Sequence, residues 1–212
     1  MTKIYYAESK QAEIYNNVAD AKKILSSERY ERYKRLKQND DKLDCLTVGI
    51  MIKLIFRSSE VLFKDKNGCP KLNNGKYISI SHSGGICAVA LSDKPVGLDI
   101  QAHSEKDYTA LGRIVLCKSE LEYLKNSDNK ENVFYKLWCL KESYMKAKGL
   151  GFSLSPKSFY FDIACEDIIL HSDDDKQWNF FCFDIENLTS ALCCNNDSEY
   201  NTEKISLTSY EK

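Results

Sequence analysis

The run Trp138-Cys139-Leu140-Lys141-Glu142-Ser143-Tyr144-Met145-Lys146-Ala147-Lys148-Gly149 puts charged side chains where an amphipathic helix normally builds a core. Phe134, Leu137, Trp138 and Met145 recur at helical spacing and make an apolar stripe, while Glu142 and Lys146, four residues apart, share one face beside Trp138. An isolated Glu/Lys pair at that spacing on a solvated face is worth only ~0.2–0.5 kcal/mol and by itself signals helix stability rather than chemistry. Two other segments shift the balance. Tyr77-Ile78-Ser79-Ile80-Ser81-His82-Ser83-Gly84-Gly85 and Val96-Gly97-Leu98-Asp99-Ile100-Gln101 alternate as strands do, and each delivers polar side chains at its end, where sites are built. The three segments together offer carboxylates, an ammonium and an imidazole, groups that hold cations, bind phosphates and move protons.

In order along the chain, S-H-S-G at Ser81, G-L-D-I at Gly97 and W-x-x-K-E-x-x-x-K-x-x-G at Trp138 resemble the Sfp-type 4′-phosphopantetheinyl transferases, the larger bacterial class that activates peptide and polyketide synthetases. The resemblance is strongest from Gly68 to Phe159 and reaches back more weakly through the basic segment Ser26 to Leu36. It implies a magnesium-dependent enzyme that transfers the 4′-phosphopantetheine arm of coenzyme A to a serine of apo acyl or peptidyl carrier proteins and releases 3′,5′-ADP. The alternative is a degenerate relative that binds coenzyme A or a carrier protein without catalysis.

Such a transfer is attack on a phosphoryl group, so a pyrophosphate must be held, charge neutralised and a proton removed. Magnesium is a hard cation held by a few carboxylates, phosphate oxygens and waters, and the resemblance implies Asp99 and Glu142 as the carboxylates. The family commonly has a second acid two residues after the Asp; this chain has Gln101, on the same face by strand alternation, whose amide oxygen is a weaker ligand or a holder of a metal-bound water. Lys146, one turn past Glu142, is implied as a donor to the transferring phosphate. The general base is either Glu142, directly or through a metal-bound water, or a Lys146 of depressed pKa. Lys141 points about 100° away from Glu142 and faces either substrate phosphate or solvent.

The resemblance further implies that His82, with Ser81 and loop amides, binds the 3′-phosphate of coenzyme A. Arg29 and Arg32 match two basic positions that grip the same nucleotide phosphates, although a basic helix face near the surface needs no ligand. The lysine of the family's G-K-P turn is replaced by Cys69, leaving Lys66 or Lys71 nearby to compensate. Glu120 matches an S-x-x-E acid that serves as a secondary metal or water contact. Ile114, Val115 and Leu116 form either an apolar patch for a carrier-protein helix or plain core.

The elements that must position these groups read as follows. A strand at Ile4 to Ala7 precedes the basic segment Ser26 to Lys37 and a long apolar helix from Leu43 to Phe56; Lys64 to Pro70 is turn chemistry. Strands at Ile86 to Leu91 and Val96 to Ile100, joined by Ser92-Asp93-Lys94-Pro95, read as a hairpin that brings His82 and Asp99 to nearby edges of one sheet. A helical pattern from Ala110 to Leu124 is followed by a polar loop at Asn126 to Lys130 and the principal helix over 131–148. Strands follow at Ser158 to Ile163, Ile168 to His171, Trp178 to Asp184 and Ser190 to Cys194, then an exposed Asn-rich stretch from Asn195 to Thr202. The expected fold is α+β. The resemblance implies two similar α+β halves related by pseudo-twofold symmetry, 1–95 and 96–212 with the seam near Pro95, and an active site in the cleft between them.

Composition fits one compact unit of 212 residues, too long for a peptide-like scaffold and too short for a multidomain assembly. No apolar run approaches the ~20 residues needed to cross a bilayer, and Met1 to Tyr6 turns charged by Glu8 without a signal-peptide apolar segment, so a cytoplasmic protein is expected, with no membrane partner. Nine cysteines include no C-x-x-C pair and sit mostly in apolar runs, which reads as small buried hydrophobes rather than metal ligands or disulfides. With 30 Lys and Arg against 31 Asp and Glu there is no global field for nucleic acid. A monomer is expected, because larger members of the family carry both halves in one chain.

Overall fold

The computed structural model describes residues 1–58, 62–65, 68–164, 167–195 and 199–210. In chain order the elements are β1 (Thr2–Glu8), a 3-10 helix (Ser9–Tyr15), α1 (Val18–Ile24), α2 (Ser27–Arg35), α3 (Asn39–Phe56), β2 (Leu62–Lys64), β3 (Pro70–Leu72), β4 (Tyr77–Ser83), β5 (Ile86–Ser92) and β6 (Val96–Gln101). There follow α4 (Tyr108–Val115), α5 (Lys118–Asn126), α6 (Lys130–Lys148), β7 (Tyr160–Asp162), β8 (Ile169–His171), β9 (Trp178–Ile185), β10 (Leu188–Asn195) and β11 (Tyr200–Lys204). The fold is α+β, and it divides into a unit of Met1–Asp93 with Glu199–Lys212 and a unit of Lys94–Ser198.

The first unit is built on a sheet of order β11-β1-β5-β4, antiparallel except for the parallel pair β1–β11. Every residue of β5 is buried, because β1 and β4 take both of its edges and α3 packs on it. That packing explains why α3 is apolar nearly all round, with Leu46, Ile50, Met51 and Ile52 in the core. The second unit is an antiparallel sheet of order β6-β10-β9 with α6 lying against β6 and β10, flanked by α4, α5 and the hairpin β7–β8. Asn129 caps α6, its side chain accepting from Asn132 N, and Gly149 ends it in the left-handed region at φ 68°. Among the described residues no helix is long and apolar enough to cross a membrane, and the eight described cysteines are free thiols, five of them buried.

Three expectations are corrected. β5 and β6 do not form a hairpin: with both edges of β5 occupied, β6 leaves for the second sheet and pairs with β10 instead. His82 and Asp99 therefore stand on different sheets. The stretch Asn195 to Thr202, expected to be exposed coil, enters β11 at Tyr200, and pairing with β1 places 199–212 in the first unit rather than with 96–198; residues 196–198 lie outside the described set. The single helical pattern from Ala110 to Leu124 is two helices, broken where Leu116 turns extended at ψ 148° to reach the core.

Candidate active site

In the second unit, Asp99 lies near the end of β6 and is only 2% exposed. Gly97 is what lets this strand lie so close to α6: a Cβ there would overlap the Ser143 carbonyl oxygen and come within 2.5 Å of the Ala147 amide nitrogen. The close approach sets Asp99 beside the charged face of the helix. Lys146 Nζ donates to Asp99 Oδ1 at 2.7 Å and to the Leu98 carbonyl oxygen at 3.0 Å. Gln101 Nε2 donates to Asp99 Oδ2 at 3.0 Å, so each carboxylate oxygen has a donor.

Glu142 completes the group from one turn before Lys146. Burial, and then the neighbouring Asp99 carboxylate, push its pKa up to about 7, with Lys146 acting in the opposite direction. Cys139 lies on the same side of α6, and burial followed by the Asp99 charge holds its thiol protonated, while its Sγ donates to the Thr189 carbonyl oxygen at 3.3 Å. Among the described residues no group of three His, Cys, Asp or Glu side chains gathers to hold a metal. Two carboxylates completed by phosphate oxygens and water are nevertheless a magnesium donor set. The raised proton affinity of Glu142 beside Asp99 is the behaviour of two like charges that a cation reconciles, so the residues fit that ion.

Lys141 and Glu120 are corrected. Lys141 is fully buried, its Nζ donating to the carbonyl oxygens of Pro156 at 2.7 Å and Phe159 at 2.9 Å and pairing with Glu120 Oε2 at 2.9 Å. Glu120 also accepts from the amides of Cys117 and Phe161, both at 2.9 Å. With every polar atom used internally, the pair locks α5, α6 and β7 together and reaches neither substrate phosphate nor solvent. The segment Ile114 to Leu116 divides: Leu116 is core, whereas Ile114 is 68% exposed and, with Val115, Phe134, Tyr135, Trp138 and Gln101, lines a groove of about 250 Å³.

In the first unit, α2 turns one of its basic residues inward. Arg29 Nη2 donates to the Cys45 carbonyl oxygen at 3.2 Å, and among the described residues its buried Nε has no hydrogen-bond partner. Burial lowers the Arg29 pKa from its ordinary value, the cost of desolvating a cation. Arg29, Arg32, Lys64 and His82 line one cavity of about 190 Å³, together with the carboxylates of Glu28, Asp41 and Asp44. Ser81 does not join them: strand alternation buries it at 5% exposure on the opposite face of β4 from His82. Lys66 lies outside the described residues, and Lys71 pairs with Asp65 at 3.8 Å. Asp44, on α3 and far from His82 of β4 in sequence, carried no signal of its own.

The sequence model of the 4′-phosphopantetheinyl transferase superfamily (ACPS) matches residues 95–194, the stretch holding Asp99, Gln101, Glu142 and Lys146. This stretch of the chain is similar to that superfamily. It is 30% identical over 125 residues to the 4′-phosphopantetheinyl transferase gsp of Aneurinibacillus migulanus, a match covering 57% of this chain and 52% of that protein. It is 27% identical over 147 residues to the 4′-phosphopantetheinyl transferase Sfp of Bacillus subtilis strain 168, covering 64% and 65%. A further 4′-phosphopantetheinyl transferase of Bacillus subtilis is 37% identical over 90 residues, covering 39% of this chain and 38% of that one. The chain thus spans between 38% and 65% of the lengths of these three relatives. The matched stretch lies within the second unit, and Asp99, Glu142 and Lys146 are its polar centre.

Proposed function

We propose that the chain transfers the 4′-phosphopantetheine arm of coenzyme A to a serine of an apo acyl or peptidyl carrier protein, with release of 3′,5′-ADP. The observation that carries this reading is the Asp99–Glu142–Lys146 cluster inside the stretch matched to the superfamily. Asp99 and Glu142 hold magnesium, and Gln101 joins them by turning its amide oxygen where it now presents Nε2. When bound, the ion neutralises charge on the pyrophosphate. Glu142 takes the proton of the carrier serine, directly or through a water. Lys146 hydrogen-bonds an oxygen of the transferring phosphate. Arg29, whose buried Nε has no hydrogen-bond partner among the described residues, binds nucleotide phosphates in the first unit with Arg32 and His82, which line the same cavity. The apolar groove at Ile114 and Trp138 receives the carrier protein, and the enzyme acts as a cytoplasmic monomer without nucleic acid or membrane partners.

The test is intact-mass measurement of an apo carrier protein incubated with the chain and coenzyme A, in magnesium or in EDTA, beside Glu142→Gln. A gain of about 340 Da that needs both magnesium and Glu142 is the expected result. Coenzyme A binding without any mass gain across several carriers would assign the chain to the non-catalytic alternative.

A further inference from the structure

We infer that Asp44 is the positioning residue for His82, and that it sets the grip of the first unit's cavity on the terminal phosphate of its nucleotide. The inference rests on the proposed role of His82. His82 Nδ1 stands 3.0 Å from Asp44 Oδ2. A ring whose Nδ1–H is given to a carboxylate turns Nε2 to the cavity it lines, where it donates to a phosphate when the ring carries its second proton. Asp44 is itself held from behind. Ser9 donates to Oδ1, and the Cys87 thiol, kept protonated by burial, lies 3.5 Å from the same oxygen and 3.6 Å from the Asp44 carbonyl oxygen.

The fold accounts for the convergence. Cys87 on β5 is the direct cross-strand partner of His82 on β4, and Asp44 comes from α3, which packs on β5, so one carboxylate sits over a matched pair of strand residues. Burial alone would raise the Asp44 carboxyl, but hydrogen bonds from His82 and Ser9 outweigh it and hold it below its ordinary value. The carboxylate is therefore ionised and committed to the ring. This gives the inference a distinctive sign. As a bare negative charge lining an anion cavity, Asp44 would weaken phosphate binding and its removal would tighten it. As the residue that orients His82, its removal weakens binding.

The experiment is calorimetric binding of coenzyme A and of 3′-dephospho-coenzyme A to the full chain, in the wild type, Asp44→Asn, His82→Ala and the double variant, with thermal melts as a folding check. The wild type is expected to prefer coenzyme A. Asp44→Asn is expected to lose roughly tenfold of that preference, the scale of one charge-assisted hydrogen bond, and to add little once His82 is gone. Ser9→Ala, which loosens the same carboxylate, is expected to move the preference the same way by less, and it serves if Asp44→Asn folds poorly. Loss of preference in His82→Ala but not in Asp44→Asn or Ser9→Ala overturns the inference and leaves the role of His82 standing. Tighter coenzyme A binding in Asp44→Asn overturns it as well. A wild type that does not distinguish the two ligands overturns the role of His82 and the inference with it.

Discussion

Lys146 Nζ lies 2.7 Å from Asp99 Oδ1, an ion pair between an α-helix and a strand that are 47 residues apart in sequence. Asp99 is nearly inaccessible and Lys146 partly exposed, so the pair is semi-buried, and removing the lysine leaves a buried carboxylate beside Glu142. Lys146→Ala is expected to lower stability by about 2 kcal/mol in EDTA, less than a fully buried pair would lose. It is also expected to reduce transfer by a factor of about a hundred. Urea unfolding with and without magnesium, and single-turnover transfer, measure the two effects separately.

Glu142 supplies the pH dependence. Its folded pKa of about 7 stands above the ordinary 4.5. Between those values the unfolded chain releases the proton first, so stability in EDTA falls as pH rises through that window. Magnesium must displace the same proton, so its affinity is expected to rise with pH and level off above about 7, with proton release on binding below it. Melting temperatures and magnesium calorimetry at pH 5, 6, 7 and 8 test both, and Glu142→Gln is expected to flatten both trends.

Gln101 spends its amide N–H on Asp99 Oδ2. Gln101→Glu replaces that donor by a third negative charge. The expected outcome is a less stable protein in EDTA and a tighter magnesium site, a crossing of two melting curves as magnesium is added. Equal shifts with and without the ion would count against Gln101 facing the metal.

Gly97 has no room for a side chain, because the backbone of α6 at Ser143 and Ala147 occupies the space. Gly97→Ala is expected to cost about 3 kcal/mol or to prevent folding, by prising β6 from α6. Gly75→Ala, at a position with open space but positive φ, is expected to cost less. Denaturant midpoints of the two variants make the comparison.

The Lys141–Glu120 pair is a structural lock. Lys141→Met or Glu120→Gln alone leaves a buried partner unpaired and is expected to cost about 3–5 kcal/mol. The double variant is expected to cost less than the sum, which a double-mutant cycle in urea reads directly.

The grouping of Asp99 with Gln101 and of Glu142 with Lys146 was legible in local patterns. Glu142 and Lys146 share a face because a helix repeats every 3.6 residues, and Asp99 and Gln101 share one because a strand repeats every two; neither fact needs distant partners. Alternation also separates Ser81 from His82, a consequence available in the sequence but outweighed by the motif that names both residues together. For Lys141, the helix periodicity gave a direction but not what stood there. The buried carbonyls of Pro156 and Phe159 and the carboxylate of Glu120 come from other segments.

What the sequence by itself determined is the set of elements and the residues each presents, since periodicity, caps and turn chemistry act within a few residues. Strand pairing was decided only by the tertiary structure. Adjacency suggested β5 with β6, yet β1 and β4 fill both edges of β5, β6 finds β10, and β11 returns to β1. Edges are a finite resource shared across the whole chain, so their allocation is a global result. The same is true of Asp44 and His82: a helix and a strand nearly forty residues apart met over β5, and that meeting, rather than any local spacing, joined a carboxylate to the imidazole.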